Sequence, residues 1–434
     1  MSANHTIEIE NLKVGMFIHL DLGWWAHPFA LSSFQLASAD QIATVRGLGL
    51  KKLRWSPEKS VLEPAMGALP AGQEALAACA PEASVEPPLA DPAITAQEQR
   101  RVQLAQQRAA AQLCERQHGE ASKAWMQAAD LVVGKPQEAR ATTEGLTRAL
   151  LDKMMVDGEL CIRALADGGG DRASAHALNV AIISMLMGRT FGLAEEELMQ
   201  MGVGALMHDI GKLDLPARLR HSDGQFSPAE QAVYRNHVAK GLAHGQAMGL
   251  SEAAMQVIAQ HHEMADGSGF PQRLNVDRIS AGARIVSLLN RFDNLCNPTV
   301  PSHALTPHEA LSLIFAQCRS KFDASMLNAF IRMMGVYPPG SVVQLTDDRY
   351  AMVVNVNSTR PLKPRVLVHD PEVPADEALL LNLEEFEDLG VRRSLKPNQL
   401  PAAALAYLGP RQRVVYFFEP APAATVAAAE EMAA

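Results

Sequence analysis

The sequence predicts a multidomain chain: a central all-α helical bundle, a small sheet-containing domain ahead of it and a small β domain behind it. Three observations lead there. At 434 residues and 46.9 kDa the chain exceeds what one ordinary core organises. Helical periodicity dominates from Gln137 to Gly335, with breaks at Gly168-Gly169-Gly170, Gly192, Pro216, Gly224, Gly249 and Pro298. Beyond Pro338-Pro339-Gly340 the pattern changes to short valine-rich runs at Ser341–Leu345, Ala351–Val356, Arg365–Val368 and Val414–Phe418, separated by Pro, Asp and Asn.

Taken in order, residues 1–60 mix β-branched and aromatic residues with turn signals and read as a small α+β domain. Residues 61–135 are an Ala/Pro-rich linker followed by a connecting helix, because repeated prolines from Pro64 to Pro92 prevent a long helix before Thr95. From Thr95 to Met126, Gln, Ala and Arg favour a helix without a wide apolar face, exposed or packed on a partner. The bundle occupies 136–336, the small β domain 337–420 and a patternless tail 421–434.

Composition narrows the function. With 48% hydrophobic and 20% charged residues the chain is neither wholly disordered nor a coiled-coil rod. A net charge of -9 lacks the basic excess that binding a nucleic-acid polymer needs. The five cysteines form no C-x-x-C pair, so a thiolate zinc site and a disulfide framework are not expected. The start, Met1–Glu10, is polar and acidic, and the most apolar run, Ala177–Met187, is far short of a bilayer span. The expected location is the cytoplasm, with no membrane contact.

Seven of the 14 histidines (His176, His208, His221, His237, His244, His261 and His262) fall between 176 and 262. On a helix, Leu198, Met201, Gly202, Ala205, His208, Asp209 and Lys212 share one face, so an apolar stripe ends in an imidazole, a carboxylate and an ammonium. A buried carboxylate requires a cation or a metal, and Lys212 alone could satisfy Asp209. Met255, Ile258, His261 and His262 share another face, as do His176, Val180, Ile183 and Met187, while His237 opens a further helical segment. Singly, each histidine reads as an ordinary core or surface residue. Five of them and one aspartate arriving at helix faces within one domain point to a metal site inside a bundle, with His221 and His244 left on the surface. Imidazole and carboxylate donors without thiolate suit Fe, Mn, Ni or Zn, and the number of donors suits two ions bridged by Asp209. No dinucleotide loop, P-loop, zincin or G-x-S-x-G motif is present.

His208-Asp209-Ile210-Gly211-Lys212, then His237, then His261-His262-Glu263-Met264-Ala265-Asp266-Gly267-Ser268-Gly269-Phe270-Pro271 resembles the HD-GYP branch of the HD phosphohydrolases. The likeness covers roughly 140–335. Leu12-Lys13-Val14-Gly15-Met16 and Trp25-Ala26-His27-Pro28-Phe29 are similar to the small domain often found ahead of bacterial HD-GYP domains. The resemblance implies a metal-dependent phosphodiesterase that opens cyclic di-GMP to pGpG and onward to GMP, using one or two divalent transition metal ions. It implies metal-ligand positions at His176, His208, Asp209, His237, His261 and His262, catalytic roles for Asp209 and Lys212, and a substrate-facing rim at Lys212, Gly269, Phe270 and Pro271. GGDEF-type or other signalling proteins and a second copy of the chain are the implied protein partners. The alternatives are a degenerate member acting through metal or nucleotide binding, and an HD hydrolase of another phosphoester.

Four positions depart from the family pattern. Asn290, a neutral and weaker donor, stands where the final aspartate ligand falls. Asn297-Pro298-Thr299-Val300-Pro301-Ser302 lacks the arginine and lysine of the R-P-Y-K-like segment. Phe270 replaces a tyrosine, and Arg172 stands where three-metal members carry an extra glutamate, which implies no third ion. The expectation is tight metal on the Asp209, His237, His261 and His262 side and weaker metal on the His176, His208 and Asn290 side.

Overall fold

The computed structural model describes residues 5–20, 33–36, 38–48, 50–60, 92–155, 158–166, 170–220, 226–357 and 359–421. The 61–91 linker, Trp25–Phe29, His221 and nearly all of the 421–434 tail lie outside them. The chain divides into two compact units, Met1–Ala105 and Gln106–Ala434.

In the first unit, β1 (His5–Glu8), β2 (Phe17–His19), β3 (Ser33–Gln35) and β4 (Lys52–Ser56) form an antiparallel sheet in the order β1-β4-β2-β3. Helix α1 (Ala39–Gly47) starts at Ser38, whose side chain accepts from the Gln41 amide. Leu12, Met16, Ile18, Leu36, Val45 and Leu53 fill the core.

The second unit is mostly helical. Helix α2 (Pro92–Leu131) is largely exposed at first, but from Cys114 onward Gln117, His118, Ala121, Trp125 and Ala128 are buried. The expectation of an exposed helix fails over this half because the buried stripe is mostly small or polar, and only Trp125 looks like a core residue. Then follow α3 (Pro136–Met154), β5 (Leu160–Ala164), α4 (Arg172–Thr190), α5 (Glu195–Met207), α6 (Pro228–Arg235), α7 (His237–Met248), α8 (Glu252–Gln260), α9 (Ala281–Cys296), α10 (Pro307–Gln317) and α11 (Ala324–Met334). Helix α4 packs on α5 and α9, and α5 on α8. The apolar Ala177–Met187 run is thus the buried centre of the bundle. Among the described residues no helix is long and apolar enough to cross a membrane.

After the bundle come β6 (Val342–Leu345), β7 (Tyr350–Asn357), β8 (Arg365–Val368), β9 (Leu380–Asn382), β10 (Val391–Leu395), α12 (Ala402–Leu408) and β11 (Tyr416–Pro420). The valine-rich runs are strands, as their pattern predicts, but they do not close on themselves. The antiparallel sheet runs β10-β6-β7-β5-β11, with β8 and β9 joined through β7, so a strand from 160–164 sits between two from the C-terminal region. The all-α expectation for 136–336 is corrected here: Leu160-Cys161-Ile162-Arg163-Ala164 is too short a run for periodicity to separate a strand from a buried helix turn. Arg163 on β5 and Glu419 on β11 form an ion pair at 2.8 Å, and Asn355 on β7 donates to the same carboxylate at 2.6 Å.

Candidate metal centre

Helix ends converge on one carboxylate. His208 caps the C-terminus of α5, Asp209 follows it, His237 opens α7, His261 caps α8 with His262 next, and His176 lies in the second turn of α4. The turn Ile210–Asp214 folds back on α7 so closely that a Cβ on Gly211 would overlap the His237 carbonyl and the Gly241 amide. Gly211→Ala is expected to destabilise by about 1–3 kcal/mol by overpacking this contact. A thermal melt with an unchanged midpoint and unchanged metal content would contradict that.

Asp209 divides the centre in two. Its Oδ1 lies 3.5 Å from His237 Nε2 and 3.6 Å from His261 Nε2, with His262 in the same group. Its Oδ2 lies 3.5 Å from His176 Nε2, 3.4 Å from His208 Nε2 and 2.5 Å from Lys212 Nζ. Within each half two ring nitrogens face each other, His237 with His261 at 3.3 Å and His176 with His208 at 3.2 Å.

The opposite ring nitrogens fix the tautomers. His208, His237 and His261 each donate Nδ1–H to the carbonyl three residues earlier, on Ala205, Tyr234 and Ile258, at 2.7, 2.6 and 2.8 Å. That leaves three Nε2 lone pairs directed at the cluster, the outer-sphere arrangement typical of metal-binding histidines. Burial pushes His208 down to about 4 and His237 down to about 3, with Asp209 opposing in both cases, and it also drives His262 well below the usual imidazole range. Burial opposes ionisation of Asp209, but Lys212 and His208 hold its carboxyl well below the usual range. At His176 burial is likewise outweighed: hydrogen bonds to Asp209 and Asp293 push it up to about 9, so two carboxylates favour positive charge there. Buried Asp209 Oδ1 and His262 Nε2 have no hydrogen-bond partner. The Nε2 lone pairs of His237 and His261, facing one another beside the orphaned Asp209 Oδ1, fit a divalent cation and fit no protein-only hydrogen-bond pattern.

The remaining expected residues are placed differently. Asn290 is buried on α9, and its Oδ1 accepts from Asn294 Nδ2 at 2.6 Å. Phe270 stacks on His262, with ring centroids 4.4 Å apart, and the Arg235 guanidinium lies over the Phe270 ring, 4.9 Å from its centroid. A Cβ on Gly269 would overlap the backbone of His262, Glu263 and Met264. Buried Glu263 accepts from the amides of Gln272 and Leu274 at 2.6 and 2.9 Å, tying this loop behind the histidine pair. A cavity of about 500 Å³ opens on His176, Asp209 and Lys212, and Gly269, Phe270 and Pro271 are not among its walls. His244 lies outside the cluster, 3.1 Å from Asp214.

Asp293, at i+3 from Asn290 on one helix, reads from the sequence as a solvated or salt-bridged residue or else as a substitute carboxylate ligand; it is buried, not solvated, and pairs with His176 Nδ1 at 2.5 Å through Oδ2. Its Oδ1 accepts from Asn179 and Asn297 at 2.7 and 2.9 Å. It thus orients His176 from behind, and its spacing from Asn290 was the only signal. Asp293→Asn is expected to weaken Mn binding on the His176 side by about 10–100-fold, and Asn290→Asp to strengthen it. Equal Mn titrations for Asp293→Asn and wild type would refute the first. Tyr234, under Lys212 at 5.4 Å, was also missed, as an aromatic three residues before a histidine carries no distinctive pattern.

Residues 159–326 match the family model described as HD domain. The chain thus carries an HD domain over this segment. The H-D-I-G-K and H-H-E motifs of this HD domain lie inside the matched segment, and residues 4–141 match a domain of unknown function, DUF3391. The HD domain chain is similar to the cyclic di-GMP phosphodiesterase PA4108 of Pseudomonas aeruginosa, 27% identical over 194 residues, covering 44% of this chain and 47% of that protein. It is 30% identical over 168 residues to the cyclic di-GMP phosphodiesterase response regulator RpfG of Xanthomonas campestris pv. campestris, covering 38% and 44%. It is 33% identical over 123 residues to the 3'3'-cGAMP-specific phosphodiesterase 2 of Vibrio cholerae serotype O1, covering 28% and 24%. The chain spans less than half the length of each of these relatives.

Proposed function

We propose that this chain is a metal-dependent phosphodiesterase that hydrolyses cyclic di-GMP in the cytoplasm, giving linear pGpG and then GMP. The observation that carries the reading is the shared carboxylate: two donor groups meet at Asp209, and the cavity that reaches Asp209 also exposes Lys212. His237, His261, His262 and Asp209 would hold one ion of Fe, Mn, Ni or Zn, and His176, His208 and Asp209 a second. Bound there, a divalent ion supplies Lewis acidity toward the phosphoryl oxygens and lowers the pKa of a water nucleophile.

The chain's own residues do the rest. Asp209 keeps its negative charge between the two halves. Lys212, bonded to Asp209 and facing the cavity, lies where negative charge grows as a P–O bond breaks and the elements of water add across it. Asp293 and the backbone carbonyls of Ala205, Tyr234 and Ile258 hold the rings so that no reorganisation is needed.

The relatives' printed substrates include both cyclic di-GMP and 3'3'-cGAMP, so the test uses both. Protein loaded with Mn or Fe is incubated with each dinucleotide and the products are separated by chromatography. Linear dinucleotide or mononucleotide from cyclic di-GMP is the expected result. A full absence of both products under either metal would overturn the proposal, and cleavage of 3'3'-cGAMP alone would reassign the substrate.

A further inference from the structure

Besides Arg220, whose guanidinium donates to the Leu213 and Leu215 carbonyls, the cavity beside Asp209 carries two arginines from distant parts of the chain, Arg172 at the start of α4 and Arg413 just ahead of β11. Arg172 is half-buried, and its Nη2 donates to the Asn297 carbonyl at 2.9 Å. Arg413 is exposed and makes no ion pair among the described residues. The two are close enough that, after burial, the Arg413 charge is the next cause lowering the pKa of Arg172.

The carboxylates on the same walls do not neutralise them. Asp209 is bonded to Lys212, Asp171 accepts from the Ser174 amide as the cap of α4, and Asp130, exposed near the end of α2, makes no ion pair with either arginine among the described residues. Two guanidiniums facing one cavity with no carboxylate ion-paired to either among the described residues repel each other, and an anion in the cavity relieves that repulsion.

The position of Arg413 is built rather than incidental. Val414, its neighbour, donates its amide to Asn297 Oδ1 at 2.8 Å, and its carbonyl accepts from Asn297 and Asn179, both at 2.9 Å. The same two asparagines hold Asp293, the partner of His176. One hydrogen-bonded network therefore fixes both the rear of the metal centre and the backbone that presents Arg413.

We infer that Arg172 and Arg413 form a phosphate clamp, seating one phosphate of a cyclic dinucleotide while the other lies at Asp209 and Lys212. The clamp rests on the phosphodiesterase reading for its substrate class. It draws one of its cations from the C-terminal sheet region, whereas Asn297–Ser302 supplies none. Guanidinium forks pair with phosphate oxygens in two parallel hydrogen bonds, which suits a phosphodiester carrying one negative charge.

The test measures Kd for the hydrolysis-resistant bis-phosphorothioate analogue of cyclic di-GMP on the metal-loaded full chain, with turnover of cyclic di-GMP followed in parallel. Arg413→Ala is expected to weaken binding about tenfold, and Arg413→Lys to recover part of the loss. Arg411→Ala, an equal loss of charge at an exposed residue of the same loop outside the cavity walls, is expected to bind as wild type. Arg172→Gln should lose affinity as Arg413→Ala does. Arg413→Ala binding within twofold of wild type overturns the clamp, whatever the turnover. Binding that depends on Arg413 without release of pGpG or GMP keeps the clamp and overturns the hydrolase reading. A wild type that neither binds the analogue nor turns over cyclic di-GMP overturns both.

Discussion

Asp209→Asn is expected to empty both halves of the centre and to lower turnover by more than the about 100-fold that losing an outer-sphere partner costs. The substitution keeps shape and volume and removes only charge. Because Oδ1 faces His237 and His261 while Oδ2 faces His176, His208 and Lys212, one change takes the anion away from both donor groups at once. What remains in the donor set is imidazoles and an ammonium, with Asp293 behind His176 as the nearest carboxylate and no anion between the two halves to attract a divalent ion. Elemental analysis of protein purified without oxygen, paired with the product assay, checks this. Retention of wild-type metal content by Asp209→Asn would show that the imidazoles alone hold the ions.

Arg163→Ala is expected to destabilise the second unit by about 3–5 kcal/mol, the largest stability effect of any single change considered. The pair is nearly sealed from water, with side-chain exposures of 7% for Arg163 and 9% for Glu419. Removing the guanidinium strands a carboxylate between β5, β7 and β11, with only Asn355 Nδ2 still donating to its Oε1. The pair itself is imperfect, since Arg163 Nε and Asn355 Oδ1 have no partner. Replacing both ends with apolar residues, Arg163→Met with Glu419→Leu, should therefore recover most of the loss. Urea denaturation of the two variants decides the matter. A single variant as stable as wild type, or a double variant no better than the single, would count against this account.

The inner layer of the candidate centre was legible because its chemistry is written in runs: H-D-I-G-K and H-H-E place candidate ligands at helix ends wherever the rest of the chain goes. Its supports were not, since they depend on separations that no local pattern reports. Asp293 reaches back 117 residues to His176, and Val414 the same distance to Asn297. Arg413 carries no motif and gains meaning only from the cavity it faces. The Gly269-Phe270-Pro271 turn shows the opposite case, a recognisable motif whose observed contacts support His262 rather than wall the cavity. In the fold, the valine runs announced strands by alternation, whereas β5 was hidden by brevity and the buried half of α2 by its small side chains.

The placement of β5 between β7 and β11 has a temporal consequence. Leu160 pairs with Pro420, so 420 − 160 = 260 residues separate the two ends of that ladder. At the roughly 5–20 residues per second of protein synthesis, β5 leaves the ribosome about 13–50 s before β11 exists. Until β7 is made β5 has two open edges, and until β11 is made one remains, each a template for pairing with another chain. A chain stopped after the bundle would keep those edges for good. The histidine-bearing helices are thus complete early, but β5 is covered on both edges only when the last strand arrives.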